Sequence, residues 1–87
     1  MNTWELIILK IIALNGGTAS LQHIYSKIPN HISLTKNHLE TKYKAPMYHH
    51  QTRAHVDDLL VSEDLKRIGR GQYFTTLKGK RRISSLN

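Results

Sequence analysis

Apolar residues recur at helical spacing along three stretches of this chain and at strand spacing near its end. In the first stretch Trp4, Ile8, Ile11 and Ile12 share one face, with Ile7 and Leu14 on its border, and Leu6, Leu9 and Ala13 form a second stripe. This spacing predicts a helix from about Trp4 to Leu14, capped by Thr3, with Glu5 near the positive end of its dipole. Asn15-Gly16-Gly17 stops it, because Asn and Gly accept the left-handed conformation at a helix C-terminus. A helix apolar almost all round must be covered on both sides. The cover is either the C-terminal segment or a second copy of the chain, a homodimer through Leu6, Leu9 and Ala13. Ser20 caps a second helix running from Leu21 to about Ile28, with Leu21, Ile24, Tyr25 and Ile28 inward and His23 and Lys27 outside that set. Pro29 is expected to end it by biasing Ile28 away from the helical region.

Residues 30–45 show a thin apolar pattern over a span long for a helix–helix connection, which predicts either an inserted short helix around Thr35–Glu40 or a loop. Pro46 suits a first helical turn and opens the third long helix, from about Met47 to Glu63. Its core stripe is Thr52, Val56, Leu59 and Leu60. A turn of 100° per residue puts Met47, His50, Gln51 and Ala54 on the opposite face, Arg53 and His55 beside it, and His49 on the core side. Strands 65–68 and 72–76 follow, with Gly69 and Gly71 expected to supply positive φ to the turn between them. Leu65, Ile68, Tyr73 and Leu77 are the expected inward residues, and the tail is anchored by Ile83 before it frays toward Asn87. The predicted fold is α+β, one domain over residues 1–87: a three-helix core with a C-terminal β-hairpin and a possible short extra helix within 30–45.

Charge changes this picture from a fold to a partner. The 87 residues hold 13 Lys and Arg against 6 Asp and Glu, a net charge of +7. Residues 1–40 are nearly balanced, Lys10, Lys27 and Lys36 facing Glu5 and Glu40, so the excess lies in the second half. From Leu65 onward there are Lys66, Arg67, Arg70, Lys78, Lys80, Arg81 and Arg82 and no acid. In the third helix the acids Asp57, Asp58 and Glu63 gather toward the C-terminal end, leaving the other half without negative charge. A surplus so placed favours a polyanion, through long-range attraction and counterion release.

Three segments carry a family resemblance: Arg53-Ala-His-Val-Asp-Asp-Leu59, then Leu65-Lys-Arg-Ile-Gly-Arg-Gly-Gln-Tyr73, then Thr76-Leu-Lys-Gly79. They are similar to the winged helix-turn-helix pattern of a helix ending in a leucine pair, "L-x-R-x-G-x-G-x-Y" and a closing "Y-x-L-T-x-x-G". The likeness is to winged helices appended to bacterial restriction endonucleases, including methyl-directed and Mrr-type enzymes, and to small prokaryotic regulators. It covers residues 46 to 80, and is topological before that. The chain departs from the pattern at Thr75, where leucine is usual, and at Ser62-Glu63-Asp64, where a glycine is usual.

The resemblance implies, and the charge independently suggests, binding of double-stranded DNA. The third helix would enter the major groove with His50, Gln51 and Ala54 toward base edges. Gln can pair bidentately with adenine, and the Ala methyl can touch that of thymine. Tyr48 would meet phosphate at the helix start and Arg53 beside it, unless Arg53 pairs with Asp57 one turn on. Arg70 at the hairpin tip could enter the minor groove, with Lys66, Arg67, Lys80, Arg81 and Arg82 on phosphate or simply solvated. A nucleoid-associated cytoplasmic protein is expected, consistent with the absence of cysteine. The apolar run Leu6–Leu14 is interrupted by Lys10 and much shorter than a membrane span, and the start lacks the marks of a signal peptide.

No enzyme, cofactor or metal is expected. The chain has no phosphate-binding glycine loop and no G-x-S-x-G elbow, and His50 and His55 are five apart rather than at metal-ligand spacing. Two other readings stay open at this level: a winged helix used for protein contact, as adaptor or inhibitor, through the Leu6–Leu9–Ala13 stripe, and a binder of structured RNA through the same basic face.

Overall fold

A computed structural model describes residues 2–85. Its elements in chain order are α1 (Thr3–Leu14), β1 (Thr18–Ser20), α2 (Leu21–His31), α3 (Lys36–Leu39), β2 (Thr41–Lys42), β3 (Ala45–Pro46), α4 (Met47–Val61), β4 (Leu65–Gly69), β5 (Gln72–Thr75) and α5 (Leu77–Ser85). The helix expected third is therefore fourth.

The core is built around α1, whose Ile8, Leu9, Ile11 and Ile12 are buried among Ile24 and Ile28 of α2, Val56 and Leu59 of α4, and Ala19, Leu65 and Tyr73 of the sheet. Each of the Ile, Leu and Val side chains contributes about 1.5–3 kcal/mol through apolar area removed from water. The second stripe of α1 is covered from within the chain, because α5 folds back against it and Ile83 packs on the core. Leu9 is therefore wholly buried and Leu6 half-buried, so of the three residues expected to face a second copy or a protein partner only Ala13 is exposed. The cap is Asn2 rather than Thr3, its side chain accepting from the Trp4 N–H at 2.8 Å. At the other end Gly16 takes φ 83, and the Gly16 and Gly17 N–H groups return to the Ala13 and Ile12 carbonyls at 3.1 and 2.9 Å.

Ser20 caps α2 as expected, accepting from the His23 N–H at 3.0 Å. Pro29 does not end this helix. It sits in the last turn, where its missing N–H forfeits a single bond, and the helix continues to His31. Between α2 and α4 the chain makes the short helix α3, where Thr35 and His38 satisfy each other's backbone N–H groups, and then a hairpin of two-residue strands pairing Thr41 with Pro46 and Lys42 with Ala45.

The main sheet is antiparallel in the order β1-β5-β4. Strand β1 was not expected, being only three residues long, and it pairs Thr18, Ala19 and Ser20 with Phe74, Tyr73 and Gln72. In the β4–β5 hairpin Leu65 faces Thr75 and Arg67 faces Tyr73, after which the register shifts and Gly69 faces Gln72. The extra residue is Ile68, which this bulge turns outward, so it is exposed rather than inward. Leu77 is exposed too, because it begins α5 instead of extending the strand, and Thr75 takes the inward place. Gly71 alone of the two turn glycines has positive φ, at 65.

The tail is helical rather than frayed through Ser85, while Leu86 and Asn87 lie outside the described residues. Thr76 caps the start of α5, its hydroxyl accepting from the Gly79 N–H at 3.1 Å and donating to the Glu63 carbonyl at 2.6 Å. Among the described residues no helix is long and apolar enough to cross a membrane.

Candidate nucleic-acid interface

Thr52, Val56 and Leu59 fix the rotation of α4 by burying its inner stripe, which leaves Gln51, Arg53 and Ala54 exposed on the outside. The three histidines of the helix separate by function. His49 lies flat on Tyr25 of α2, with ring centroids 4.0 Å apart and planes 7° apart, and meets Tyr48 edge-on. Burial, and secondarily neighbouring His50, lowers the His49 pKa below its ordinary value. Burial likewise raises the Tyr25 pKa. His55, expected beside the outer face, is instead half-buried, stacked on Trp4 at 6.1 Å and within 3.1 Å of the Glu5 carboxylate, which ties α4 to α1. His50 turns toward the preceding hairpin, its Nε2 donating to the Lys42 carbonyl at 2.5 Å and its ring meeting Tyr43 edge-on at 5.9 Å.

Of the three residues expected toward base edges, Gln51 and Ala54 stand clear and His50 is held by the hairpin. Tyr48 is half-buried with its ring packed on the core. Arg53 is exposed, and among the described residues no ion pair links it to Asp57. Asp57, Asp58 and Glu63 are exposed at the far end of the helix, so its two halves differ in charge as expected.

The β4–β5 hairpin carries Lys66, Arg67 and Arg70, all exposed. Arg67 lies over the ring of its cross-strand partner Tyr73 at 5.7 Å, a cation–π contact. Arg70 is at the tip, and the tip is anchored: the Leu21 N–H at the start of α2 donates to the Gly71 carbonyl at 2.8 Å. Beyond the sheet Lys80 and Arg81 are exposed on α5. Arg82 is engaged differently, closing an ion pair with Asp64, which is fully buried and also accepts from the Ser62 hydroxyl at 2.6 Å. Lys78 donates to the Ser62 carbonyl. The basic tail thus divides into Lys80 and Arg81, which face solvent, and Lys78 and Arg82, which fasten α5 to the end of α4.

Two groupings lay beyond reach of the sequence. Glu5, His55 and Asp58 bring one potential ligand atom each within 4.8 Å of one another, a juxtaposition hidden by the separation of 50 positions from Glu5 to His55. The His55–Glu5 hydrogen bond accounts for it as a clasp between helices. The second is the Tyr43 hairpin against His50. Its signal would have been a glycine or asparagine in the turn, and neither is there.

Helix, strand, helix, helix and basic hairpin in this order, with β1 completing a three-stranded sheet, are a winged helix, and the chain has that fold. No protein-family model matches the chain, and no curated protein matches it in sequence. Among solved structures it is similar to F93 from STIV, described as a winged-helix DNA-binding protein, with a TM-score of 0.64 and 20% identity over 93% of this chain and 79% of that one.

Proposed function

We propose that this protein binds double-stranded DNA, with α4 in the major groove and the β4–β5 wing on the adjoining backbone and minor groove. The observation that carries the reading is the distribution of charge on the folded surface. Residues 41–56 and 65–85 contain no acid, and they supply the N-terminal part of the outer face of α4, the wing and α5. The description of the similar structure as a DNA-binding protein supports it. Gln51 and Ala54 are the residues for base edges, suited to A·T pairs. Arg53, Lys66, Arg67, Lys80 and Arg81 serve phosphate, and Arg70 enters the minor groove from a tip that the Gly71–Leu21 bond keeps in place. Its finer role is that of a small regulator or a restriction-type recognition module, acting by occupying DNA.

The test compares binding to random duplex DNA, adenine-methylated duplex and duplex RNA, each at two salt concentrations. Preference for either DNA over RNA supports the reading. Equal or stronger binding to RNA transfers the basic face to structured RNA, and no nucleic-acid binding at all favours a protein partner.

A further inference from the structure

The β2–β3 hairpin ahead of α4 has a turn built from the wrong residues for its conformation. Tyr43 and Lys44 both lie in the left-handed region, at φ 52 and 66. Two such residues in succession between paired strands make the turn that Asn-Gly fills without strain and that Tyr-Lys fills at a cost. The neighbouring helix enforces it: His50 Nε2 holds the Lys42 carbonyl, and the Met47 N–H bonds the Glu40 carbonyl at 2.8 Å across the base of the hairpin. The side chains so displayed add nothing to the core. Tyr43 is 81% exposed, with the Lys42 ammonium 5.4 Å over its ring and Lys44 exposed beside it. Strained residues held by their surroundings concentrate where a chain grips a ligand.

From these contacts we propose that the Lys42-Tyr43-Lys44 tip is a second DNA-contacting projection, set beside α4 on the side away from the acids. The proposal rests on the DNA-binding reading above. Lys42 and Lys44 take phosphates at the edge of the groove that α4 occupies, and the Tyr43 ring lies against the sugar with its hydroxyl toward phosphate. Backbone contacts of this kind add affinity and fix register without selecting sequence. His50 then acts as a positioning residue that sets the tip, leaving base readout to Gln51 and Ala54. The charge agrees, since sixteen consecutive residues from Thr41 to Val56 include Lys42, Lys44 and Arg53 and no acid.

The decisive variant is Tyr43→Asn with Lys44→Gly, which supplies the turn with its preferred residues while removing two of the three proposed contacts. Its thermal stability should equal or exceed that of the wild type. Affinity for random duplex DNA should fall about tenfold at moderate salt, with the log–log salt slope shallower by about one and the ranking of sequences unchanged. His50→Ala should weaken the wild type similarly and add little in the double-variant background. Lys42→Gln with Lys44→Gln keeps ring and backbone and should flatten the slope by about two. Unchanged affinity and slope in both double variants would overturn the proposal while DNA binding stood. A wild type that binds no duplex DNA would overturn both.

Discussion

Gly79 of α5 passes so close to the backbone carbonyl of Asp64 that a Cβ at position 79 would overlap that oxygen and crowd the Thr75 methyl at 2.8 Å. The glycine that closes the Thr76-Leu-Lys-Gly79 segment is what allows α5 to dock. Once docked, Arg82 reaches the buried Asp64 carboxylate and Ile83 covers the second apolar stripe of α1.

Gly79→Ala should therefore destabilise the domain by about 1–3 kcal/mol, because the neighbour that must yield is backbone and not a flexible side chain. Thermal unfolding should show a midpoint lower by roughly 5–20 °C for a domain of this size.

Arg81 and Arg82 adjoin in sequence and should respond oppositely. Arg82→Ala leaves Asp64 buried without its cation and should cost about 3 kcal/mol of stability, read by denaturant titration. Arg81→Ala should leave stability within about 0.5 kcal/mol and weaken DNA binding at all sequences, read by fluorescence anisotropy.

Glu63 occupies the left-handed position at the end of α4, φ 66, with the Glu63 and Asp64 N–H groups bonding the Leu60 and Leu59 carbonyls at 3.2 and 3.0 Å. Glycine is the usual occupant of that site. Glu63→Gly should stabilise the protein by about 0.5–1 kcal/mol, the left-handed penalty removed less the extra freedom of glycine in the unfolded chain.

The stack of His49 on Tyr25 makes stability fall on the acid side. Burial lowers the His49 pKa from its ordinary 6.5, so the unfolded chain takes up the proton first. The contribution of the neutral ring is complete above that ordinary value and is lost as pH falls through the lowered one. Between pH 7 and pH 5 the midpoint of wild-type unfolding should drop further than that of His49→Phe, which keeps a ring on Tyr25 and cannot titrate.

The parts of the molecule that bury apolar surface periodically were legible in the sequence. Ile8, Ile12, Ile24, Ile28, Val56 and Leu59 announce their helices because burial repeats with the helical period, and the outer placement of Gln51 and Ala54 follows from the same geometry. Residues 32–46 were legible only in part: the short helix offered around Thr35–Glu40 is α3, but the β2–β3 hairpin gave no signal, since Tyr43-Lys44 makes its turn without glycine or asparagine. The separation of Arg82 from Arg81 and the clasp of Glu5 on His55 depend on partners 18 and 50 residues away, which no local pattern carries.

The salt dependence of binding to random duplex DNA tests the proposed function most directly. With about six phosphates neutralised, the logarithm of affinity should fall linearly with the logarithm of salt at a slope on the order of −5, roughly a thousandfold between 50 and 200 mM. Arg70→Ala should shorten that slope by about one on every sequence, and Gln51→Ala should leave the slope and relax the preference among sites. An affinity indifferent to salt, or a slope untouched by Arg70→Ala, would contradict a DNA interface built from α4 and the wing.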